Sequence, residues 1–157
     1  SGEVYTVPYE GEKQNIKSET SGTIPVLLFG ESALFKVKEN KIIDIIDFET
    51  KSEKCKSLIE KDPARRNIAE FAIGCNDWAV VTGNILEDEK AGFHWAFGRS
   101  DQLGGVTGPD KFLSPENILH IDIVYAKDSK YKVQEMIFVY NDDSKKKIIE
   151  DTRYLVF

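Results

Sequence analysis

The chain holds only two histidines, and each falls where an imidazole could be put to chemical use. Residues 118–125 read Ile-Leu-His-Ile-Asp-Ile-Val-Tyr. As a strand, this stretch turns Leu119, Ile121, Ile123 and Tyr125 to one side and Ile118, His120, Asp122 and Val124 to the other. His120 and Asp122 then project in parallel from Cα atoms about 6.5 Å apart, so ring and carboxylate can converge on one ion. His94 lies in Ala-Gly-Phe-His-Trp-Ala-Phe-Gly, with Phe93, Trp95 and Phe97 on one face and His94 and Ala96 on the other. Either ring alone is compatible with a core histidine satisfied by carbonyls. Two rings in matching settings, one followed by a carboxylate, are equally compatible with a metal site.

A further carboxylate interrupts an apolar segment. In residues 65–74, Arg-Arg-Asn-Ile-Ala-Glu-Phe-Ala-Ile-Gly, the alternation of Ala69, Phe71 and Ile73 favours a short strand or extended turn. A helical face through Asn67, Glu70 and Gly74 is the alternative. Glu70 on an edge strand would simply face water.

These residues need elements to hold them, and the chain supplies mostly strands. Residues 2–8 form a strand ended by Pro8. Residues 9–21 are polar and loop-like, and 23–29 is an apolar run between Gly22 and Gly30 that reads as a buried strand. Residues 33–47 read as a hairpin turning at Glu39-Asn40-Lys41. Residues 50–60 are the best helix, with Thr50 as N-cap and Glu53 at capping-box spacing, ended by Asp62-Pro63. Residues 78–81 are a short apolar run, and Glu87, Asp88 and Glu89 beside Lys90 read as a charged turn. A glycine-rich loop, residues 99–108, follows the His94 strand, without the spacing of a phosphate loop. Residues 131–151 read as a second hairpin turning at Asn141-Asp142-Asp143, and 154–157 as a last short strand. The expected fold is α+β: one domain over residues 1–157, a mainly antiparallel β-sheet or barrel-like assembly with one or two helices.

Composition narrows the partners. A net charge of -6 argues against a nucleic-acid surface. The basic run Lys145, Lys146 and Lys147 is flanked by Asp142, Asp143, Glu150 and Asp151, as at a solvated hairpin tip. No apolar run approaches the roughly 20 residues that span a bilayer, so no membrane role is expected. Cys55 and Cys75 lie in no metal-spacing motif and read as reduced thiols of a cytoplasmic protein.

Five segments in order carry a resemblance: Gly-Glu-Val-Tyr-Thr-Val-Pro, Asn-Ile-Ala-Glu-Phe-Ala-Ile-Gly, Asp-Glu-Lys-Ala-Gly, His-Trp-Ala-Phe-Gly-Arg-Ser and His-Ile-Asp. Together they resemble the metal-binding half of the M29-type thermophilic metallo-aminopeptidases, the aminopeptidase T, S and PepS group, in its leucyl-aminopeptidase-like branch. The resemblance implies that Glu3, Glu70, His94, His120 and Asp122 hold two divalent ions, Zn, Co or Mn, with Glu70 as bridge or base. It implies a cytoplasmic homodimer that removes the first residue from peptides with a free N-terminus. In that family an α/β domain precedes the Gly-Glu-Val segment, so the chain is expected to be a fragment lacking it. The family also carries Tyr seven residues after its first His, where this chain has Asp101. Asp101 and Arg99 are expected on the substrate side of the site. Two alternatives stand beside the hydrolase. One is a mononuclear Fe(II) ring-cleaving dioxygenase of the same fold family, using His94, His120 and Asp122 as a facial triad. The other is a catalytically inactive fragment.

Overall fold

The computed structural model describes residues 2–76 and 78–155. The chain runs through β1 (Glu3–Thr6), β2 (Gly22–Leu28), β3 (Glu31–Lys38), β4 (Lys41–Asp47), α1 (Glu53–Glu60), β5 (Ile68–Gly74), α2 (Ile85–Asp88), β6 (Gly92–Gly98), β7 (His120–Ala126), β8 (Glu135–Val139), β9 (Lys145–Glu150) and β10 (Arg153–Tyr154). It is an α+β fold of antiparallel sheets. A four-stranded sheet has the order β1-β5-β6-β7, and two three-stranded sheets have the orders β2-β3-β4 and β10-β9-β8. None closes into a barrel.

Local chemistry accounts for the hairpins. Phe29-Gly30 and Glu39-Asn40 both have positive φ at two successive residues, the geometry of two-residue turns whose twist matches the strands they join. Asn40 tolerates that conformation and is fully buried. Its amide donates to the Ile68 carbonyl at 2.8 Å and to Asn67 Oδ1 at 3.1 Å, while Ile68 N–H donates to the Asn40 carbonyl. One turn thus fastens the β2-β3-β4 sheet to the start of β5.

Helix α1 begins later than its sequence signal. Thr50 Oγ1 is occupied by the Ser32 N–H at 2.7 Å, and Ser52 is the N-cap without a side-chain capping bond. The free N–H groups of Lys54 and Cys55 donate instead to the Glu31 carboxylate, at 3.0 and 3.1 Å. A strand residue replaces the expected capping box. The run Lys145–Lys147 likewise belongs to β9, and the turn lies just before it, closed by Asp143 N–H on the Tyr140 carbonyl. Of the last expected strand, residues 154–157, only Tyr154 falls in a strand, β10, and Leu155 does not; residues 156 and 157 lie outside the described part.

The core fills one side of the four-stranded sheet. Trp95, Phe97, Ile123 and Tyr125 pack with Val26, Phe35, Ile42, Ile45, Cys55 and Ile59 of the β2-β3-β4 sheet and α1. Phe71, Ile73 and Phe93 meet Met136, Phe138, Ile148 and Ile149 of the third sheet. Trp95 Nε1 donates to Tyr125 OH at 2.9 Å, which donates to the Pro25 carbonyl at 2.8 Å, so both of these buried polar groups are paired. With one face consumed by the core, the other is left for polar side chains.

Candidate metal centre

Register decides what that other face carries. Glu70, Ala96 and Asp122 stand opposite one another across β5, β6 and β7. Ala72, His94 and Val124 form the next row, Gly98 opposes His120, and Glu3 on β1 opposes Gly74. Directly opposed residues of an antiparallel pair share a face. Glu3, Glu70, His94, His120 and Asp122 therefore rise from one face, separated by alanine and glycine that leave room between them.

A bulge makes this possible. Ile68 opposes Phe97, yet Glu70 opposes Ala96, so Ala69 is the extra residue on β5. It lets Ile68 enter the core while Glu70, two residues on, turns to the opposite face. Because β5 lies between β1 and β6, Glu70 is central and 5% exposed. Water on an edge strand does not explain it.

The side chains form two groups that share Glu70. Glu3, Glu70 and His94 offer ligand atoms within 4.8 Å of one another, and so do Glu70, His120 and Asp122. His94 Nε2 lies 3.3 Å from Glu3 Oε2 and 3.8 Å from Glu70 Oε1. His120 Nε2 lies 3.1 Å from Glu70 Oε2 and 3.5 Å from Asp122 Oδ1. Ligands about 2.0–2.2 Å from a tetrahedral ion stand roughly 3.3–3.6 Å apart, which is close to these separations.

Both rings present the right atom. His94 Nδ1 is 3.3 Å from the Gly92 carbonyl and His120 Nδ1 is 2.6 Å from the Arg99 carbonyl. Donation from Nδ1–H to those carbonyls would leave each Nε2 lone pair facing the carboxylates, with the Gln102 side-chain amide also 3.0 Å from His120 Nδ1. Glu3 Oε2, His94 Nε2 and Asp122 Oδ1 are buried with no hydrogen-bond partner. Orphaned buried acceptors that face one another are costly unless a cation completes them. The donor set of imidazole and carboxylate suits Zn²⁺, Co²⁺ or Mn²⁺. Without such an ion the cluster attracts protons. Burial opposes charge on His120, but Asp122, Glu70 and the Arg99 carbonyl outweigh it and raise its pKa to about 10.

One carboxyl at this site escaped the sequence patterns. Glu89 has its pKa raised to about 7 by burial and then by the charges of Glu3, Asp122 and Glu70. Its position depends on Gly74. A Cβ there would lie 2.4 Å from the Lys90 carbonyl carbon, so only glycine lets the backbone of Glu89 and Lys90 cross this face. The acidic run masked it: Asp88 beside it is structural, accepting from the N–H groups of Thr82 and Gly83.

Arg99 and Asp101 are placed differently. They pair with each other, Nε to Oδ1 at 2.5 Å and Nη2 to Oδ2 at 3.1 Å, which holds the Asp101 carboxyl below its ordinary range. Arg99 meets the site through its carbonyl on His120. Gly98, with φ of 104°, sends the chain into this loop, where a Cβ would lie 2.3 Å from the Leu119 carbonyl oxygen.

No family model matches the chain, and no curated protein does. Among solved structures it is similar to the wild-type AmpT of Thermus thermophilus, with a TM-score of 0.61 and 18% identity, over 99% of this chain and 40% of that one. The likeness is one of fold, and the chain spans well under half the length of that neighbour.

Proposed function

We propose that this chain is the metal-binding domain of a two-metal aminopeptidase, which removes the first residue from peptides with a free α-amine. The observation that carries the proposal is the division of Glu70, with Oε1 toward His94 and Oε2 toward His120. A carboxylate shared in this way is suited to bridge two cations. The fold supports the same reading, since AmpT bears the name of the aminopeptidase T group that the motifs resemble. Two divalent cations bound there would supply Lewis acidity for the scissile carbonyl and for water.

The chain's own residues would do the rest. Glu3 and His94 would hold one cation, and His120 and Asp122 the other, with Glu70 between. With both Glu70 oxygens engaged, Glu89 is the carboxyl available at the cluster to take and return a proton. Arg99 would hold the His120 ring through its carbonyl, and its side chain would neutralise Asp101 beside the site. A single-ion dioxygenase needs both imidazoles on one ion. Among the described residues the rings fall in separate groups, which favours two ions.

Metal stoichiometry tests this. The complete protein, purified without chelator and supplied with Zn, Mn or Co, should hold about two equivalents by mass spectrometry. It should then release the first residue from unblocked peptides and leave N-acetylated ones intact. One equivalent of iron, with O₂-dependent opening of a hydroxylated ring, would establish the dioxygenase instead. No bound metal after reconstitution would leave an inactive fragment.

A further inference from the structure

Among the described residues, one edge of the ligand-bearing sheet pairs with no further strand, and it adjoins the centre. Strand β7 pairs with β6 on one side only. The direction of its backbone groups follows from three bonds. Arg99 N–H donates to the Leu119 carbonyl at 2.8 Å, continuing the β6 ladder through odd-numbered residues. Ala126 N–H donates to Ser129 Oγ, and Ser129 Oγ donates to the Val124 carbonyl, on the side away from β6. Successive residues of a strand send their N–H and C=O groups to opposite sides. The N–H and C=O of Asp122 and the N–H of Val124 therefore point outward from the sheet.

A cleft of about 370 Å³ runs along this edge. Asp122 and Val124 line it together with Leu27, Leu28, Val81 and Tyr131. Asp122 thus belongs to two structures at once. Its carboxylate stands in the ligand cluster, and its main chain forms the end of a groove with apolar walls that Asp88, Asp128 and Lys130 also line.

We infer that this edge takes the main chain of a peptide as an added strand, parallel to β7. This rests on the aminopeptidase reading for the identity of the occupant. A peptide whose first residue lies at the ligand cluster would continue from Asp122 toward Val124. One substrate residue then spans the gap, with its N–H on the Asp122 carbonyl and its C=O on the Val124 N–H. Ser129 already occupies the next two positions, so the edge grips one residue and then closes. Recognition is through the backbone, with the apolar walls available to a neighbouring side chain. The site would accept many sequences but would reject a substrate lacking that single N–H.

The test uses the ¹⁵N-labelled, metal-loaded chain and a pentapeptide of alanine and valine whose first amide is reduced to CH₂–NH. Singly N-methylated versions of the same peptide probe each later nitrogen. Titration is expected to shift the Val124 amide resonance most, with Asp122 beside it. N-methylation at one position should weaken binding several-fold to about tenfold, the worth of one main-chain hydrogen bond, and at the others should have little effect. Leu27→Asp, at a half-exposed wall position, should weaken binding with the β7 resonances otherwise unchanged. Equal affinity for all the N-methylated peptides, or shifts confined to residues away from β7, would overturn the inference. The two readings fail separately. Peptide cleavage without a methylation effect removes the edge and keeps the hydrolase. Docking at Val124 with no cleavage by the complete protein removes the hydrolase and keeps the edge.

Discussion

Asp62 and Glu70 are both buried carboxylates, and they are treated in opposite ways. Asp62 is fully buried, and its oxygens accept from Ala64 N–H at 2.9 Å, Leu113 N–H at 2.7 Å and Asn117 Nδ2 at 3.1 Å. Burial raises its pKa, but these bonds and the nearby Arg65 more than offset that and hold it below its ordinary value. It ties the turn after α1 to the segment before β7 and has its donors at hand. Glu70 stands among Glu3, His94, His120 and Asp122, where acceptors face acceptors and three of them have no partner. A buried polar group with its donors present serves the fold. A set of buried polar groups that lack the same thing, a cation, is organised for something the chain does not itself provide.

The largest expected effect separates members of the cluster. Glu70→Ala should abolish binding of both ions, because both groups use it. His94→Ala should remove one ion and leave about one equivalent with Glu70, His120 and Asp122. Equal losses in the two variants would remove the bridging role of Glu70. The next test makes one isosteric change in both regions. Asp62→Asn turns an acceptor into a donor against the N–H groups of Leu113 or Ala64 and should cost about 2–3 kcal/mol of stability in urea unfolding, with metal content unchanged. Asp122→Asn should cost the metal-free chain the pairing of Asp122 Oδ1 with the protonated His120 ring at 3.5 Å, lowering the His120 pKa, and it should also empty the second ion site.

The two regions were also unequally legible in the sequence. His94, His120 and Asp122 were visible because alternation along a strand is local, and each breaks an apolar pattern within its own segment. Glu3 was reached only through resemblance, since nothing within four residues marks a glutamate on a short strand as special. Glu70 was noticed, but its face was not: the extra residue at Ala69 shifts the pattern, and a bulge is set by the partner strand. Glu89 stayed hidden because its position depends on a fold-back over Gly74, which lies 15 residues earlier in the chain. The antiparallel, α+β character was legible from the hairpin turns. The division into three sheets was not, since it depends on contacts such as that of Asn40 with Ile68, which join distant segments.

Protonation sharpens the contrast further. With its folded pKa near 10, against 6.5 for a free ring, His120 stabilises the metal-free fold fully below pH 6.5. That contribution shrinks as pH rises, because the unfolded ring loses its proton first, and it is gone once pH passes about 10. Asp62, lowered instead, contributes above its unfolded pKa and loses the contribution in acid. Cation binding needs the neutral His120 ring, so adding Zn²⁺ at pH 8 should release about one proton from it. Calorimetry in buffers of different ionisation enthalpy measures this. Release should rise toward two protons at pH 6, where Glu89 also holds one. Release fixed at one proton at both pH values would mean that Glu89 does not border the ion, and no release at either pH would mean that His120 does not.

The smallest expected effect concerns Glu31, a satisfied carboxylate nearer the surface. It accepts the N–H groups of Lys54 and Cys55 and supplies the α1 cap that Thr50 leaves to Ser32. Glu31→Ala should cost about 1 kcal/mol, the usual worth of a helix cap, with partial loss from the helix macrodipole in salt. Thr50→Ala should leave the helix N-terminus unchanged and weaken only the start of β3. Metal content and proton release should stay as in the unaltered chain for both. If Glu31→Ala lowered metal binding, then α1 would be coupled through the core to the ligand face. The separation of the sheet into a structural side and a chemical side would then fail. That separation is what allows the ligand face to keep unsatisfied groups, because the opposite face carries the hydrophobic burial that holds the four strands in register.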